Sequence, residues 1–496
     1  MEITKPSSRY LVVSDLHLSD IEDHADGWKA HKSARHAFDD ELGELLRWFP
    51  ESGEQGAELT LVLNGDVFDF DLVTAVPSSP PWPITRAERR FGLEPTPSRS
   101  VWKLRRILQD HPRFLQALEE FLAAGHRIVY VMGNHDREFH FEQVQAALTE
   151  ELQRTAASAG RSLPSPALQF EPWFFHVAGV LYAEHGQQYD YYSSFRHVLH
   201  PELVRKGERT IALPMGNLSN RFLVNRMGYF NPHASDYILD LFRYASHWMK
   251  YYALARRSLV ANWFWGSMRV MGRLLAYRRQ YHAKPKRYEL LLEAAAQRAA
   301  LPVASLEALA RLHKPPITTR FYRIVREFWI DRLVMIIGML AATFGLALTP
   351  APLSVKIMLP LALFPLIGSA YERLAQGDTI FTVEHQVPEF ARKVSELLQV
   401  QVVTFGHTHR PRVIPLAKGT SFVDTGTWAP AGPHDRGKTT IPGFRNYLVV
   451  ESDERGVTMS LGSWMPASGP ERDAEHGAAA RVVHALTAIR KRVSHV

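Results

Sequence analysis

The stretch that decides the fold is Ile128-Val129-Tyr130-Val131-Met132-Gly133-Asn134-His135-Asp136, a short apolar run closed by Gly and three metal-capable or polar residues. A run this short, rich in β-branched and aromatic residues and ended by Gly-Asn, reads as a buried strand. Its polar end then sits where the chain leaves the sheet. The same form occurs upstream, where residues 10–13 lead into Ser14-Asp15-Leu16-His17 and residues 61–63 lead into Asn64-Gly65-Asp66. It recurs downstream, where residues 180–183 precede Glu184-His185-Gly186 and residues 400–405 precede Gly406-His407-Thr408-His409. Residues 421–423, before Asp424-Thr425-Gly426-Thr427, and residues 446–451 read as further strands.

Between the first runs lie stretches with apolar residues at three-to-four spacing, residues 37–49 and 114–124, which read as helices. Strands alternating with helices predict an α/β chain in which polar strand ends share one edge of a sheet. The expected fold is therefore a layered β-sheet core, interrupted by a large helical insert. Residues 1–190 and 391–465 form the two parts of the core, residues 191–390 the insert, and residues 466–496 a tail whose second half reads as a basic helix.

Composition narrows the chemistry. The 496 residues contain no cysteine, which excludes disulfides, thiolate catalysis, zinc fingers and iron–sulfur clusters. Any metal must be held by His, Asp, Glu or Asn. No signal peptide precedes residues 10–13, so the first strand is expected to open a cytoplasmic domain. The net charge of +7 is uneven, because residues 191–332 hold 24 Lys or Arg against 9 Asp or Glu. A basic block in a mildly acidic chain points to an anionic partner.

The insert also carries aromatic residues among its arginines, including Trp248, Trp263, Phe264, Trp265 and Tyr277 beside Arg269, Arg273 and Arg278. That mixture suits an anionic bilayer interface. Residues 333–348 are free of charge, and a second apolar run covers residues 357–370 with Pro360 and Pro365 inside it. Sixteen helical residues span about 24 Å, short of a hydrocarbon core of about 30 Å. The region 333–370 is therefore read as a membrane-dipping hairpin or two tilted spans with both ends cytoplasmic, the alternative being a buried helical pair or an oligomer contact.

The strand ends carry the metal-ligand set. Asp15 and His17, two apart, offer an oxygen and a nitrogen to one side of an extended segment. Asp66, Asn134 with His135, His185, and His407 with His409 follow on four more strands. Mixed O and N ligands suit Mn²⁺, Fe or Zn²⁺ better than Ca²⁺. Asp66, central in the series, is placed to bridge two ions.

Taken in order, Asp15-Leu16-His17, Gly65-Asp66-Val67-Phe68-Asp69, Gly133-Asn134-His135-Asp136, His185 and Gly406-His407-Thr408-His409 resemble the motifs of the calcineurin-like metallophosphoesterase superfamily. The resemblance covers residues 8–189 and about 400–453. It implies one divalent ion on Asp15, His17, Asp66 and His409, and a second on Asp66, Asn134, His185 and His407. It implies further that His135 acts on the transition state or leaving group, and that Asp69 and Asp136 orient His ligands or His135. Asp190 and Asp424 belong to no motif block and are as readily structural. The plan of a core with a helical insert before the last motif is similar to that of UDP-diacylglucosamine hydrolase. The resemblance therefore implies a phosphoester substrate, with a lipid-linked phosphate or pyrophosphate as the leading class. A nuclease or nucleotide phosphodiesterase is the first alternative, although the apolar runs count against a nucleic-acid clamp. A membrane-bound scaffold without activity is the second.

Overall fold

Each apolar run forms a strand because both of its faces find a core. β1 (Ser8–Val13), β2 (Glu58–Asn64) and β3 (Arg127–Val131) lie side by side in parallel, with Leu11 opposite Leu61 and Leu61 opposite Ile128. Leu11, Val13, Leu61, Leu63, Ile128 and Tyr130 pack toward helices, while Tyr10, Val12, Val62, Val129 and Val131 pack toward a second sheet. Strands buried on both sides show no polar alternation. In this computed structural model, residues 7–25, 28–52, 57–229, 231–233, 249, 259–280, 287–374, 380–430 and 444–464 are described.

Thirteen strands occur among them. The others are β4 (Gln169–Glu171), β5 (Phe174–Val177), β6 (Leu181–Glu184), β7 (Glu202–Arg205), β8 (Glu208–Ile211), β9 (Val402–Phe405), β10 (Arg412–Pro415), β11 (Ser421–Asp424), β12 (Asn446–Asp453) and β13 (Gly456–Ser463). One sheet has the order β13-β12-β1-β2-β3-β4 and the other β10-β11-β9-β6-β5. Leu181, Ala183, Val402 and Val423 of the second sheet share an apolar layer with Tyr10, Val12 and Val62 of the first. The expectation of one shared sheet edge is corrected accordingly. The motifs lie on two facing sheets, with β1, β2 and β3 in one and β6 and β9 in the other.

Helices Asp39–Glu51, Pro97–Asp110, Pro112–Ala123 and Glu142–Ser158 connect the strands of the first sheet and cover its outer face. The start of Pro97–Asp110 is set by proline at its first position, where a missing N–H costs nothing.

Between β6 and β9 the described residues are mostly helical, with a two-stranded β7-β8 hairpin that apolar patterning did not reveal. Helices Met215–Phe222, Leu259–Gln280, Tyr288–Arg298, Val303–Leu312 and Ile380–Leu398 contribute Leu218, Leu274, Leu292, Leu306 and Val394 to the same apolar cluster as the first sheet. Phe321–Glu327 adds Ile324 to that core, but the pair Ile330–Ala347 and Leu353–Leu374 does not join it. Their most apolar windows are wholly unburied, and Leu340, Phe344, Leu348, Leu353 and Leu361 are each more than 60% exposed. Polar contacts fix the pair as antiparallel. Arg332 binds Glu372 through two hydrogen bonds at 2.8 and 3.0 Å, and Tyr371 donates to Asp331, at the base. At the tip, Lys356 Nζ donates to Ala347 O at 2.8 Å, which satisfies a carbonyl at the end of the first helix. The helix Leu353–Leu374 continues through Pro360 and Pro365. The tail beyond 464, most of residues 234–258 and therefore Trp248 lie outside the described residues.

Candidate metal centre

Each ligand candidate follows the C-terminal end of a parallel strand, and the backbone there is bent sharply. Asp15, His17, Asp66, His407 and His409 all have positive φ, between 50° and 68°. Non-glycine residues in this region cost on the order of 1–3 kcal/mol each and persist where surroundings over-determine them. The surroundings here are hydrogen bonds between the loops. Asp15 N donates to Gly65 O, His17 N to Asp66 O, and His407 N to both Asp15 carboxylate oxygens at 3.1 Å.

The side chains converge on a small buried volume. His409 Nε2 is 3.2 Å from Asp15 Oδ1 and 3.1 Å from His17 Nε2. His17 Nε2 is 3.8 Å from Asp15 Oδ1 and 3.9 Å from Asp66 Oδ2. Ligands about 2.1 Å from one ion stand about 3.0–3.4 Å apart, so this set is close to ligand spacing. His185 Nε2 lies 3.0 Å from the same Asp66 Oδ2, without hydrogen-bond geometry, and 4.0 Å from Asp15 Oδ1. Asp66, His185 and His407 offer ligand atoms within 4.8 Å of one another. Asn134 Oδ1 is buried without a hydrogen-bond partner.

Tautomers are set from behind. His185 Nδ1 donates to Asn64 O at 3.0 Å and His409 Nδ1 to His233 O at 3.2 Å, which leaves both Nε2 atoms facing inward. Asp69 stands between two imidazoles, 3.3 Å from His17 Nδ1 and 2.9 Å from His135 Nδ1. Asp136 departs from the expectation that it would orient an imidazole. It accepts from Val67 N, Gly133 N and Tyr130 Oη, so it ties the Asp66 loop to the Gly133 loop. Asp424 accepts from Thr408 Oγ1, between the two histidines of the last motif.

Charge follows geometry. Burial disfavours the cationic form of His135, but Asp69 and Asp66 outweigh it and raise its pKa to about 10. His17 and His185 rise to about 9 against the same burial, His17 through Asp15 and Asp69, His185 through Asp66 and Asp15. Asp15, Asp66 and Asp69 fall below the usual carboxylate range, because neighbouring histidines overcome desolvation. These carboxylates keep the imidazoles protonated, and a bound cation would take the place of those protons and release them. Together with the unpartnered Asn134 oxygen, this donor set fits divalent metal.

Glycine is required where the loops touch. A Cβ on Gly133 would fall 2.2 Å from Asp66 Oδ1. Gly133→Ala is expected to displace that carboxylate and weaken Mn²⁺ binding by about 10–100-fold, measured by titration of the metal-stripped protein.

Three groups near the centre had no motif to announce them. His233 packs against His17 in a tilted pair with ring centroids 4.2 Å apart, Asp190 Oδ2 lies 3.1 Å from His407 Nε2, and Asn217 touches Asn134. Asp190, as readily structural by sequence, is brought to the site.

Buried carboxylates and imidazoles at the strand ends of two facing sheets make a metal-dependent hydrolytic centre. The family profile for calcineurin-like phosphoesterases matches residues 8–259, just over half of the chain, and the protein belongs to that family. It is a metal-dependent phosphoric ester hydrolase. The match includes every candidate ligand up to His185 and runs into the insert, whereas His407 and His409 lie beyond it. No curated protein matches the chain.

Proposed function

We propose that the protein is a dinuclear phosphoester hydrolase that works at a membrane surface on a lipid-linked phosphate or pyrophosphate. In this reading Asp15, His17, Asp66 and His409 hold one ion, and Asp66, Asn134, His185 and His407 hold the other, with Mn²⁺ as the preferred metal. Bound ions would polarise the phosphoryl oxygens and supply a water that deprotonates near neutral pH. His135, held cationic by Asp69, donates a proton to the leaving oxygen. Asp69 fixes its ring, and Asp136 fixes the loop that carries it. A shallow cleft beside His17, bounded by Leu18, His31, Phe38, His111 and His233, adjoins the centre.

The observation that carries the membrane reading is the unburied hairpin Ile330–Ala347 and Leu353–Leu374. Exposed apolar surface of this extent marks an interaction site. At 1.5 Å per residue the shorter helix reaches about 27 Å, enough to enter a bilayer. Its antiparallel pairing returns the chain to the side it left, as His185 before it and His407 after it require. The insert, residues 191–390, serves in this reading as a lipid-facing unit set into the core, on the cytoplasmic side of the membrane.

The protein is expected to float with anionic phospholipid vesicles. Removal of residues 333–370 should abolish flotation yet spare Mn²⁺-dependent hydrolysis of a small soluble phosphodiester. Purification of the full-length protein as a detergent-free monomer that ignores vesicles would refute membrane association. A substrate screen of nucleotides, DNA and lipid-linked phosphates separates the lipid reading from the nuclease one.

A further inference from the structure

Asn217, on the helix Met215–Phe222, is fully buried against the centre although it comes from the insert. Its Nδ2 donates to Asp71 Oδ2 at 2.7 Å and to Asn134 O at 3.1 Å, and its Oδ1 accepts from Asn134 Nδ2 at 3.4 Å. Asp71 is held in turn by both terminal nitrogens of Arg137, at 2.9 and 2.7 Å. The hydrogen-bond logic leaves one arrangement. With its amide nitrogen committed to a carboxylate and a carbonyl, Asn217 presents only an oxygen to Asn134, and an oxygen accepts. Asn134 must therefore turn its own NH₂ toward Asn217. Its Oδ1 is left on the opposite side, buried and without a partner. A flipped Asn134 would set two amide oxygens against each other and lose the bond.

We propose that Asn217 is a positioning residue through which the insert sets the Asn134 amide, so that Oδ1 faces the second metal position. This rests on the reading of Asn134 as a ligand of the second ion. The insert then contributes to the core chemistry directly: Asn217 acts on one ligand, and the His233 carbonyl holds another, His409.

The test is a Mn²⁺ titration of metal-stripped full-length protein, with free Mn²⁺ read by its paramagnetic resonance signal. The wild type is expected to take two ions. Asn217→Ala should take one as before and the other about 10–100-fold more weakly, the usual cost of losing an outer-sphere partner. In an Asn134→Ala background the same substitution should add nothing, because its effect passes through that amide. Asn217→Ser, which keeps a small polar group under Asp71, is carried through the same cycle, so that a folding failure of the alanine variant does not end the test. A wild type that binds fewer than two ions overturns the dinuclear reading itself. Two ions in the wild type with unchanged affinities in Asn217→Ala and Asn217→Ser, or an effect that persists in full without Asn134, overturns the role of Asn217.

Discussion

Asp66→Ala is expected to reduce Mn²⁺-dependent phosphodiester hydrolysis by at least about 10³-fold, the equivalent of the several kcal/mol that metal ions contribute to such transition states. In the proposed ligand assignment Asp66 is the side chain shared by the two ions. Its Oδ2 lies 3.0 Å from His185 Nε2 and 3.9 Å from His17 Nε2, and its Oδ1 accepts from His135 N at 2.7 Å. Alanine removes the shared anion and also releases the loop that carries Asn134 and His135. The apolar strands beneath are untouched, so a cooperative thermal transition should remain. Elemental analysis should find at least one of the two ions missing. Unchanged turnover would sink the ligand assignment.

His135→Ala separates chemistry from metal binding. The residue is not among the proposed ligands, and its imidazole pairs with Asp69 at 2.9 Å. A positioned acid is worth about 10²–10⁴-fold, and the loss should appear in kcat while metal content stays at the wild-type level. The loss should be smallest for substrates with an acidic leaving group, such as nitrophenolate, which departs without a proton. A parallel loss of both ions would make His135 a structural or ligating group instead.

Much of the centre was legible because its motifs are local. A strand that ends in Gly-Asn-His-Asp announces its own polar end: residues 10–13 and 61–63 lie inside β1 and β2, and residues 128–132 match β3 to within one residue at each end. The split into two sheets was not legible. Strand partners are chosen by contacts far apart in sequence, such as β6 with β9, where Leu181 meets Val402. Asn217 and His233 escaped for a different reason. A single Asn or His inside an insert has no spacing to interpret, and only the packing of the helix Met215–Phe222 onto the core shows that Asn217 faces Asn134. The role of Asp136 was hidden by its setting, since its partners are backbone N–H groups and a tyrosine hydroxyl, which carry no motif. The hairpin was readable as apolar, but whether it would be buried could be decided only by the tertiary structure. A buried helical pair and an exposed one share a composition.

The pairing of β6 with β9 also governs the order of events during synthesis. Those strands are neighbours in the sheet, yet more than 200 residues separate Leu181 from Val402. Closing so long a loop costs only modestly more than closing a short one, so the pairing is thermodynamically tolerable. It is slow to nucleate, because distant partners must first meet. His407 and His409 are translated after the entire apolar hairpin, and the proposed ligand set stays incomplete until they emerge. A nascent chain therefore exposes its most hydrophobic element before it can complete the metal centre.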